Sequence, residues 1–285
     1  MTNHDIGFLG SDGSYSHQAA IALRPDCNYI GIHSFEALIT AVETGKVSEA
    51  VLPLENSVSG RIPDVHRLVV SMELFFTAEL LLSVEHILAT SGIHPAKEIK
   101  TIFSHPQGFI QSSEFLSKNY PDAEKISKSD TATSIKEMVS LEDPSYAAIG
   151  SKFAANLYSA NVINEDISNR KNNVTRFVLI SRKPVLNSDN NITSLIIQVS
   201  HDPGSLIKAL SVFGENKINL TKLETYMISD STRLPTFYLD VGCGSQEPSF
   251  LKTMHMIRSH ITFSKFLGSY KADQSRNGLN GFLGL

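Results

Sequence analysis

The side chains that could do chemistry lie in four short polar segments of the chain. These segments are SDGSYS (11–16), ENSVSG (55–60), SHPQG (104–108) and NNVTRF (172–177). The first three each follow a run typical of a buried strand, and ligands of open α/β sheets bind beyond the carboxyl ends of strands. NNVTRF contains no cysteine, histidine or carboxylate, so Thr175 can offer a hydroxyl group but no charge. The arrangement predicts a ligand cleft to which these segments contribute.

Other kinds of site have little support in the sequence. Gly7, Gly10 and Gly13 have the spacing GxxGxxG, which differs from the GxGxxG of dinucleotide-binding turns. His255 and His260 are five residues apart in a predicted helix and therefore do not share a face. We therefore expect no cofactor and no metal site.

The composition and charge of the chain argue against several classes of protein and of binding partner. The chain has 285 residues, of which 41% are hydrophobic and 19% charged, and its net charge is −4. A net negative chain without a basic run is an improbable partner for nucleic acid. The apolar run 74–90 contains Glu79, Glu85 and His86, which argues against a membrane span. With no secretory signal and two distant cysteines, Cys27 and Cys243, we expect reduced thiols and a cytoplasmic protein.

The first 182 residues predict an α/β region with two lobes. Short strand patterns alternate with helical ones, which is typical of βα units with largely parallel strands. We expect one lobe to comprise approximately residues 1–90 with 165–182 and the other residues 91–164, with SGIHPAKE (91–98) as hinge or crossover. Ser34 is the expected N-cap of the second helix, and Ser14 or Ser16, with Ser16 preferred, that of the first. Two lobes facing a cleft resemble a type II periplasmic binding protein.

The last third of the chain has a different pattern. Residues 192–271 predict β-α-β-β-α-β, a ferredoxin-like arrangement, after a linker rich in turn formers at 182–191. Asp202 is the expected N-cap of its first helix, with Pro203 in the first turn. The glycine-rich residues 272–285 are expected to form a flexible tail.

Six motifs, in order, resemble those of the prephenate dehydratases. They are FLGSDGSYSHQAA, PLENSVSG, FSHPQGF, SDTATS, AAIGSKFAA and NNVTRFVLI, and DPGSLIKALSVFGENKINLTKLE resembles the ACT domain that follows in that family. The resemblance covers nearly the whole chain. No segment resembling a chorismate mutase precedes Ile6, so a monofunctional form is expected.

The resemblance implies a reaction and its catalytic residues. Prephenate loses carbon dioxide and water to give phenylpyruvate, a step in L-phenylalanine biosynthesis, and aromatisation supplies most of the driving force. Thr175 carries over as the general acid, which requires its hydroxyl within hydrogen-bond reach of the leaving group. Glu55, Asn56 and Gln107 complete the implied catalytic set. We expect Glu55 to hold a neighbouring side chain, because a carboxylate repels the dianionic substrate.

Seven further residues are implied to bind the substrate, with local positive potential supplied by helix N-termini and backbone N–H groups. They are Ser11, Ser14, Ser57, His105, Thr131, Arg176 and Phe177. Alternation along a strand places Thr175 and Phe177 on one face and Arg176 on the other. Arg176 is therefore the weaker candidate and would pair behind the strand. Asp130 replaces the usual serine or threonine of the family and is a good helix N-cap, which leaves Thr131 for binding.

The C-terminal region departs further from the family pattern. The resemblance implies an effector site from Gly204, Ser205, Leu206, Asn219, Leu220 and Glu224. Tyr226 and Met227 stand where phenylalanine-responsive members have arginine and proline. We expect a homo-oligomer, a dimer or tetramer, joined through these domains, and a reshaped or lost site for L-phenylalanine.

Two alternatives remain open from the sequence. An arogenate dehydratase would act on the amino analogue of prephenate with the same architecture. A non-catalytic sensor, formed by a bilobed ligand-binding region and an ACT domain, would not need Thr175.

Overall fold

The chain folds into three β-sheets with helices packed against them. The computed structural model describes residues 4–91, 99–226 and 234–279. Two mixed sheets form two lobes, and a third sheet belongs to the C-terminal region. The predicted alternation of strands and helices over the first 180 residues is confirmed.

The first lobe begins with eight elements. They are β1 (Asp5–Leu9), α1 (Tyr15–Leu23), β2 (Asn28–Ile32), α2 (Phe35–Glu43), β3 (Glu49–Asn56), β4 (Gly60–Arg61), α3 (Pro63–Ser71) and β5 (Phe75–Ser83). β3 is buried along almost its whole length, as expected for a strand covered on both faces. It ends at Asn56, inside the polar segment 55–60.

The second lobe contains the next nine elements. They are β6 (Ile87–Thr90), β7 (Thr101–Ser104), α4 (Pro106–Gln111), α5 (Ser113–Asn119), β8 (Glu124–Ser127), α6 (Thr131–Leu141), β9 (Tyr146–Gly150), α7 (Lys152–Leu157) and β10 (Asn161–Asn164). Their strand order is β10-β6-β9-β7-β8. β6 pairs with β9 and β10, so the second sheet begins a few residues before the approximate lobe boundary expected at residue 90. The predicted hinge lies outside the described residues except for Ser91.

The chain returns to the first lobe through β11 (Val174–Ser181), which lies between β3 and β5 in the order β2-β1-β3-β11-β5. β1 is parallel to β2 and β3, whereas β11 is antiparallel to both of its neighbours. The prediction of largely parallel strands therefore holds for only part of this sheet. Because β11 is central and buried, the position of its first residues is fixed from both sides.

The C-terminal region has the predicted β-α-β-β-α-β order. Its elements are β12 (Ile192–Gln198), α8 (Ser205–Glu215), β13 (Leu220–Tyr226), β14 (Thr236–Val241), α9 (Pro248–Ile257) and β15 (Phe263–Tyr270). The antiparallel sheet has the order β13-β14-β12-β15. The cap of α8 was predicted wrongly: Gly204, at φ 83°, is the N-cap in place of Asp202. β15 packs on β5 so closely that a Cβ on Gly268 would lie 2.1 Å from the Phe76 carbonyl oxygen.

The prediction of a flexible tail was wrong for residues 272–279. Gln274–Leu279 form a 3₁₀ helix. Asp273 accepts hydrogen bonds from the backbone N–H of Leu81 at 3.1 Å and of Ser275 at 2.8 Å. Because β5 is the edge strand of its sheet, the bond to Leu81 covers a backbone donor that the edge would otherwise leave free. The rest of the predicted tail lies outside the described residues.

Helix starts follow the sequence signals in most places. Ser34 caps α2 and Asp130 caps α6, accepting from the N–H of Thr133 at 2.7 Å. Ser14, and not the preferred Ser16, caps α1 by accepting from the N–H of His17. The apolar run 74–90 contains the strands β5 and β6. Within 4–91, 99–226 and 234–279, no helix combines the length and apolar character needed to cross a bilayer.

Candidate functional site

A cleft of about 490 Å³ lies between the two lobes and draws residues from all four polar segments. Seven of the predicted site residues line it. They are Ser14, Asn56, His105, Gln107, Thr131, Thr175 and Phe177. The carboxyl ends of β3 and β7 and the beginnings of α1, α4, α6 and β11 meet here, as the strand-end argument predicts.

Thr175 stands at the cleft wall on β11, opposite Asn56 on β3. Its Oγ1 accepts a hydrogen bond from Nδ2 of Asn56 at 3.0 Å. The orientation of the Asn56 amide is fixed, since its Oδ1 accepts from the N–H groups of Val58 and Ser59 and from the Ser59 hydroxyl. An amide nitrogen only donates. The Thr175 hydroxyl therefore keeps its own hydrogen, and no described residue accepts it.

His105 begins α4 with a neutral ring. Its Nδ1 accepts from the N–H of Gln107 at 3.2 Å, so the ring hydrogen lies on Nε2. Burial lowers the pKa of His105 below its ordinary value, although the carboxylate of Asp130 opposes the shift. His105 is thus the N-cap of α4, and its side chain also lines the cleft.

We expect His105→Asn to reduce the acid sensitivity of the fold. Asparagine is a good N-cap that does not titrate, whereas protonation of Nδ1 breaks the cap in the wild-type chain. Because the folded state lowers the pKa of His105, the unfolded chain binds the proton more readily, and the free energy of unfolding falls as the pH drops below about 6.5. Urea unfolding at pH 7 and pH 5 should show a smaller decline for the variant. Equal declines would contradict a neutral capping ring.

The sequence analysis did not predict several residues of the cleft lining, and among them are Tyr15, His86 and Gln111. Nε2 of His86 donates to Oε1 of Gln111 at 2.7 Å, and the Tyr15 hydroxyl donates to the carbonyl of Glu85 at 2.7 Å. Burial lowers the pKa of His86. The segment 84–86 between β5 and β6 thus contacts α1 of the first lobe and α4 of the second. His86 lies inside a long apolar run, where it signalled only that the run does not span a membrane.

The cleft contains neutral donors and almost no fixed charge. Its described lining includes three histidines and one carboxylate, Asp130, but no lysine or arginine. The Asp130 carboxylate accepts from the hydroxyls of Ser11 at 2.8 Å and Thr133 at 2.9 Å. The bond from Ser11 to Asp130 therefore links the two lobes. Ser11 is not among the residues that line the cleft. Ser57 also lies outside it and accepts from the N–H of Val174 at 2.9 Å, which holds the turn before Thr175.

Arg176 and Glu55 face away from the cleft and are not among the residues that line it. Arg176 is fully buried on the opposite face of β11. Its guanidinium lies 3.1 Å from Glu55 and 2.7 Å from Asp240 of β14. Glu55 also pairs with Lys222 of β13. The expectation that Arg176 pairs behind the strand and that Glu55 holds a neighbour describes both residues correctly.

The predicted effector residues do not form one cluster within a single chain. Gly204, Ser205 and Leu206 stand at the start of α8, where the Ser205 hydroxyl contacts that of Ser200 at 2.7 Å. Asn219 and Leu220 lie at the opposite end of β13 from Glu224. The Glu224 carboxylate lies 2.8 Å from Nζ of Lys222. Tyr226 packs edge-on to His66 of α3 at 5.0 Å, and Met227 lies outside the described residues.

The described part of the chain has no group of three or more histidine, cysteine, aspartate or glutamate side chains placed to hold a metal ion.

Comparison with known proteins gives consistent matches. The family profile described as prephenate dehydratase matches residues 6–185. The bifunctional chorismate mutase/prephenate dehydratase of Buchnera aphidicola from Acyrthosiphon pisum is 33% identical over 277 residues, which is 95% of this chain and 71% of the relative. Arogenate dehydratase/prephenate dehydratase 2 of Arabidopsis thaliana, a chloroplastic protein, is 31% identical over 94% of this chain and 73% of its own.

Two solved structures share the fold over nearly the whole chain. One, titled as GqqA, a novel type of quorum quenching acylases, has a TM-score of 0.85 and 28% identity over 95% of this chain and 99% of its own. The other, prephenate dehydratase of Arthrobacter aurescens in complex with L-Phe, has a TM-score of 0.83 and 24% identity over 94% of this chain and 90% of its own.

Proposed function

The chain belongs to the prephenate dehydratase family, and we propose that its cleft converts prephenate to phenylpyruvate with Thr175 as the proton donor. The observation that carries this assignment is the hydrogen-bond arrangement at Thr175. Its oxygen accepts from Asn56 at 3.0 Å while its hydrogen has no acceptor among the described residues. A donor aimed into a cleft suits a leaving hydroxyl group.

The step balances with one proton and no cofactor. The ring carboxylate leaves as carbon dioxide, and the electron pair of the broken C–C bond enters the ring. The C–O bond on the far side breaks, and the departing hydroxide takes the Thr175 proton to leave as water. The Asn56 N–H stabilises the alkoxide that develops on Thr175, which recovers a proton from solvent.

The neutral cleft is compatible with a doubly charged substrate. Gln107 and the Nε2–H of His105 are uncharged donors on the wall that faces Thr175. The beginnings of α1 and α6, at Ser14 and Thr131, add the positive ends of two helices. Phe177 lies on the same face of β11 as Thr175 and offers an apolar surface to the ring.

The same arrangement disfavours acyl transfer. A threonine nucleophile needs an adjacent base to remove its proton. Thr175 receives a hydrogen bond from Asn56, and no described histidine or carboxylate is hydrogen-bonded to its hydroxyl. The similarity to the structure titled as an acylase therefore extends to the fold, and we do not propose acyl transfer for this chain.

Arogenate is the second candidate substrate, since Asp130 places a carboxylate in the cleft lining. A carboxylate attracts the ammonium group of arogenate and repels a second carboxylate. The two oxygens of Asp130 already accept from Ser11 and from the N–H and hydroxyl of Thr133, which reduces that preference. We therefore assign prephenate as the main substrate.

Turnover of the two compounds by the same preparation tests the assignment. We expect kcat/KM to be higher for prephenate than for arogenate, with phenylpyruvate as the product. The reverse order would move the assignment to arogenate. Binding without turnover of either compound would overturn both and support a ligand sensor.

The C-terminal β-α-β-β-α-β unit is, in our proposal, an ACT domain that joins copies of the chain into a homo-oligomer. Tyr226 is 6% exposed and packs against the first lobe. The end of β13 is therefore part of the contact between the C-terminal region and that lobe. We propose that this change reshapes the effector site. Calorimetry should then detect L-phenylalanine binding only weakly, and a strong saturable heat would contradict the proposal.

A further inference from the structure

The face of β11 opposite the cleft carries a buried group of charges that includes a residue near the end of the chain. We call this group the back-face cluster and define it as Arg176, Glu55, Glu79, Asp240 and Arg276. Nε of Arg176 donates to Glu79 at 2.9 Å, and its Nη1 lies 2.7 Å from Asp240. Arg276 donates to the same two carboxylates, at 2.6 Å and 2.9 Å.

The two arginines depend on each other for charge balance. Arg176 alone would face three buried carboxylates, and an unpaired buried charge is costly. Arg276 shares Glu79 and Asp240, while Lys222 pairs with Glu55. The cluster with Lys222 thus contains three cations and three carboxylates. Glu224, at its edge, also contacts Lys222.

The 3₁₀ helix of the C-terminal segment holds Arg276 at this place. Asp273, at its start, accepts from the N–H of Leu81 on β5, and its own N–H donates to Glu79 at 3.0 Å. Nη2 of Arg276 also donates to the Thr221 hydroxyl at 3.2 Å. Arg276 is 7% exposed, so a residue from the predicted tail is part of the interior.

The backbone next to Thr175 pairs regularly with β5, but its pairing with β3 is interrupted one residue later. The pairing of β11 with β3 is irregular there: Arg176 lies opposite Glu55, whereas Phe177 lies opposite Pro53 and Leu54 is skipped. Proline has no N–H to donate to a ladder, and an irregular step loosens strand pairing. Anchoring of the Arg176 side chain therefore contributes to the position of the adjacent Thr175.

We propose that Arg276 is a positioning residue for the reaction, which completes the back-face cluster and, through Arg176, fixes the Thr175 hydroxyl in the cleft. This inference rests on the proposed role of Thr175. It also gives the C-terminal domain a route to the reacting hydroxyl, because Asp240 on β14 contacts Arg176 directly.

The test compares Arg276→Met, Arg276→Lys and a matched control, Lys271→Met, in the full chain. We expect Arg276→Met to lower kcat for prephenate about 10- to 100-fold per folded enzyme, with KM changed much less, because small misplacements of a reacting group are costly. Arg276→Lys keeps the charge and should recover part of the rate. Lys271 is exposed and forms no ion pair with the described residues, so its variant should keep wild-type kcat.

Folded fraction is measured by urea unfolding alongside the kinetics. If Arg276→Met lowers stability but leaves kcat per folded enzyme unchanged, the residue is only structural and the inference fails. If Arg276→Met does not fold, Arg276→Lys carries the same comparison of kcat with KM, and a wild-type kcat per folded enzyme in that variant despite lowered stability would also overturn the inference.

A double variant separates this inference from the proposed function. If Arg276 acts through Thr175, combining Arg276→Met with Thr175→Ser should lower kcat by less than the product of the two single losses. Independent, multiplicative losses would overturn the route through Thr175 while leaving the proposed function intact. A Thr175→Ala variant that retains wild-type turnover would instead overturn the role of Thr175 itself.

Discussion

Thr175→Ala lowers kcat for prephenate by about 10²- to 10⁴-fold, the usual contribution of a positioned general acid. KM changes far less, because the substrate carboxylates and ring are held by other groups of the cleft. The alanine removes the hydrogen that faces the leaving group but keeps Asn56, whose Oδ1 is fixed by Val58 and Ser59. Steady-state kinetics with prephenate, corrected for folded fraction, measures both parameters.

Two further variants make the result specific to the hydroxyl at the cleft. Thr175→Ser retains a hydroxyl and should keep part of the rate. Thr77→Val removes another buried threonine hydroxyl of the same sheet, which donates to the Leu179 carbonyl at 3.3 Å and does not line the cleft. That variant should lose some stability and keep kcat. An alanine variant as fast as the wild type would exclude Thr175 as the acid.

The elements that depend on local sequence were predictable. Alternating strand and helix patterns predicted the α/β elements of the first 180 residues, and the predicted β-α-β-β-α-β order of the C-terminal region was correct. Polar segments after buried strands located the cleft, because strand ends of one sheet meet at one edge. Period-two alternation also separated Thr175 and Phe177 from Arg176, and the structure places them on opposite faces.

Features that depend on distant contacts were not predictable from one sequence. Asp240 is 64 residues from Arg176, and no local pattern marks the two as partners. Arg276 lies in a glycine-rich stretch whose composition favours disorder, yet two buried carboxylates order it. The sheet to which β6 belongs is set by distant contacts in the same way, since β6 follows β5 closely in sequence but pairs with strands of the other sheet.

Tyr15, His86 and Gln111 show a different limit. Their roles in the cleft arise only when the two lobes meet, and no local sequence pattern marks that contact. Burial then lowers the pKa of His86 and keeps its ring neutral. A site whose main donors are neutral side chains has no distinctive sequence pattern. Metal and thiol sites differ, because their ligands recur at fixed spacings.

Arg176→Met lowers the free energy of unfolding by about 3–5 kcal/mol, the range for removing one partner of a buried ion pair. Burial alone would lower the pKa of Arg176, but the facing carboxylate of Asp240 raises it well above the ordinary value, so the residue is charged at every pH of interest. Methionine fills much of the space but leaves Glu55, Glu79 and Asp240 facing one another with fewer cations. Equilibrium unfolding in urea measures the loss.

The matched control is Arg67→Met on α3. Arg67 is exposed and lies 3.3 Å from the exposed Asp64, and such surface pairs contribute about 0–1 kcal/mol. The same substitution should therefore have a small effect at Arg67 and a large one at Arg176, although both arginines form ion pairs. Equal effects at the two positions would mean that the back-face cluster does not stabilise the fold. A large loss at Arg176 alone would show that the charge behind β11, and not the cleft in front of it, explains why NNVTRF contains an arginine.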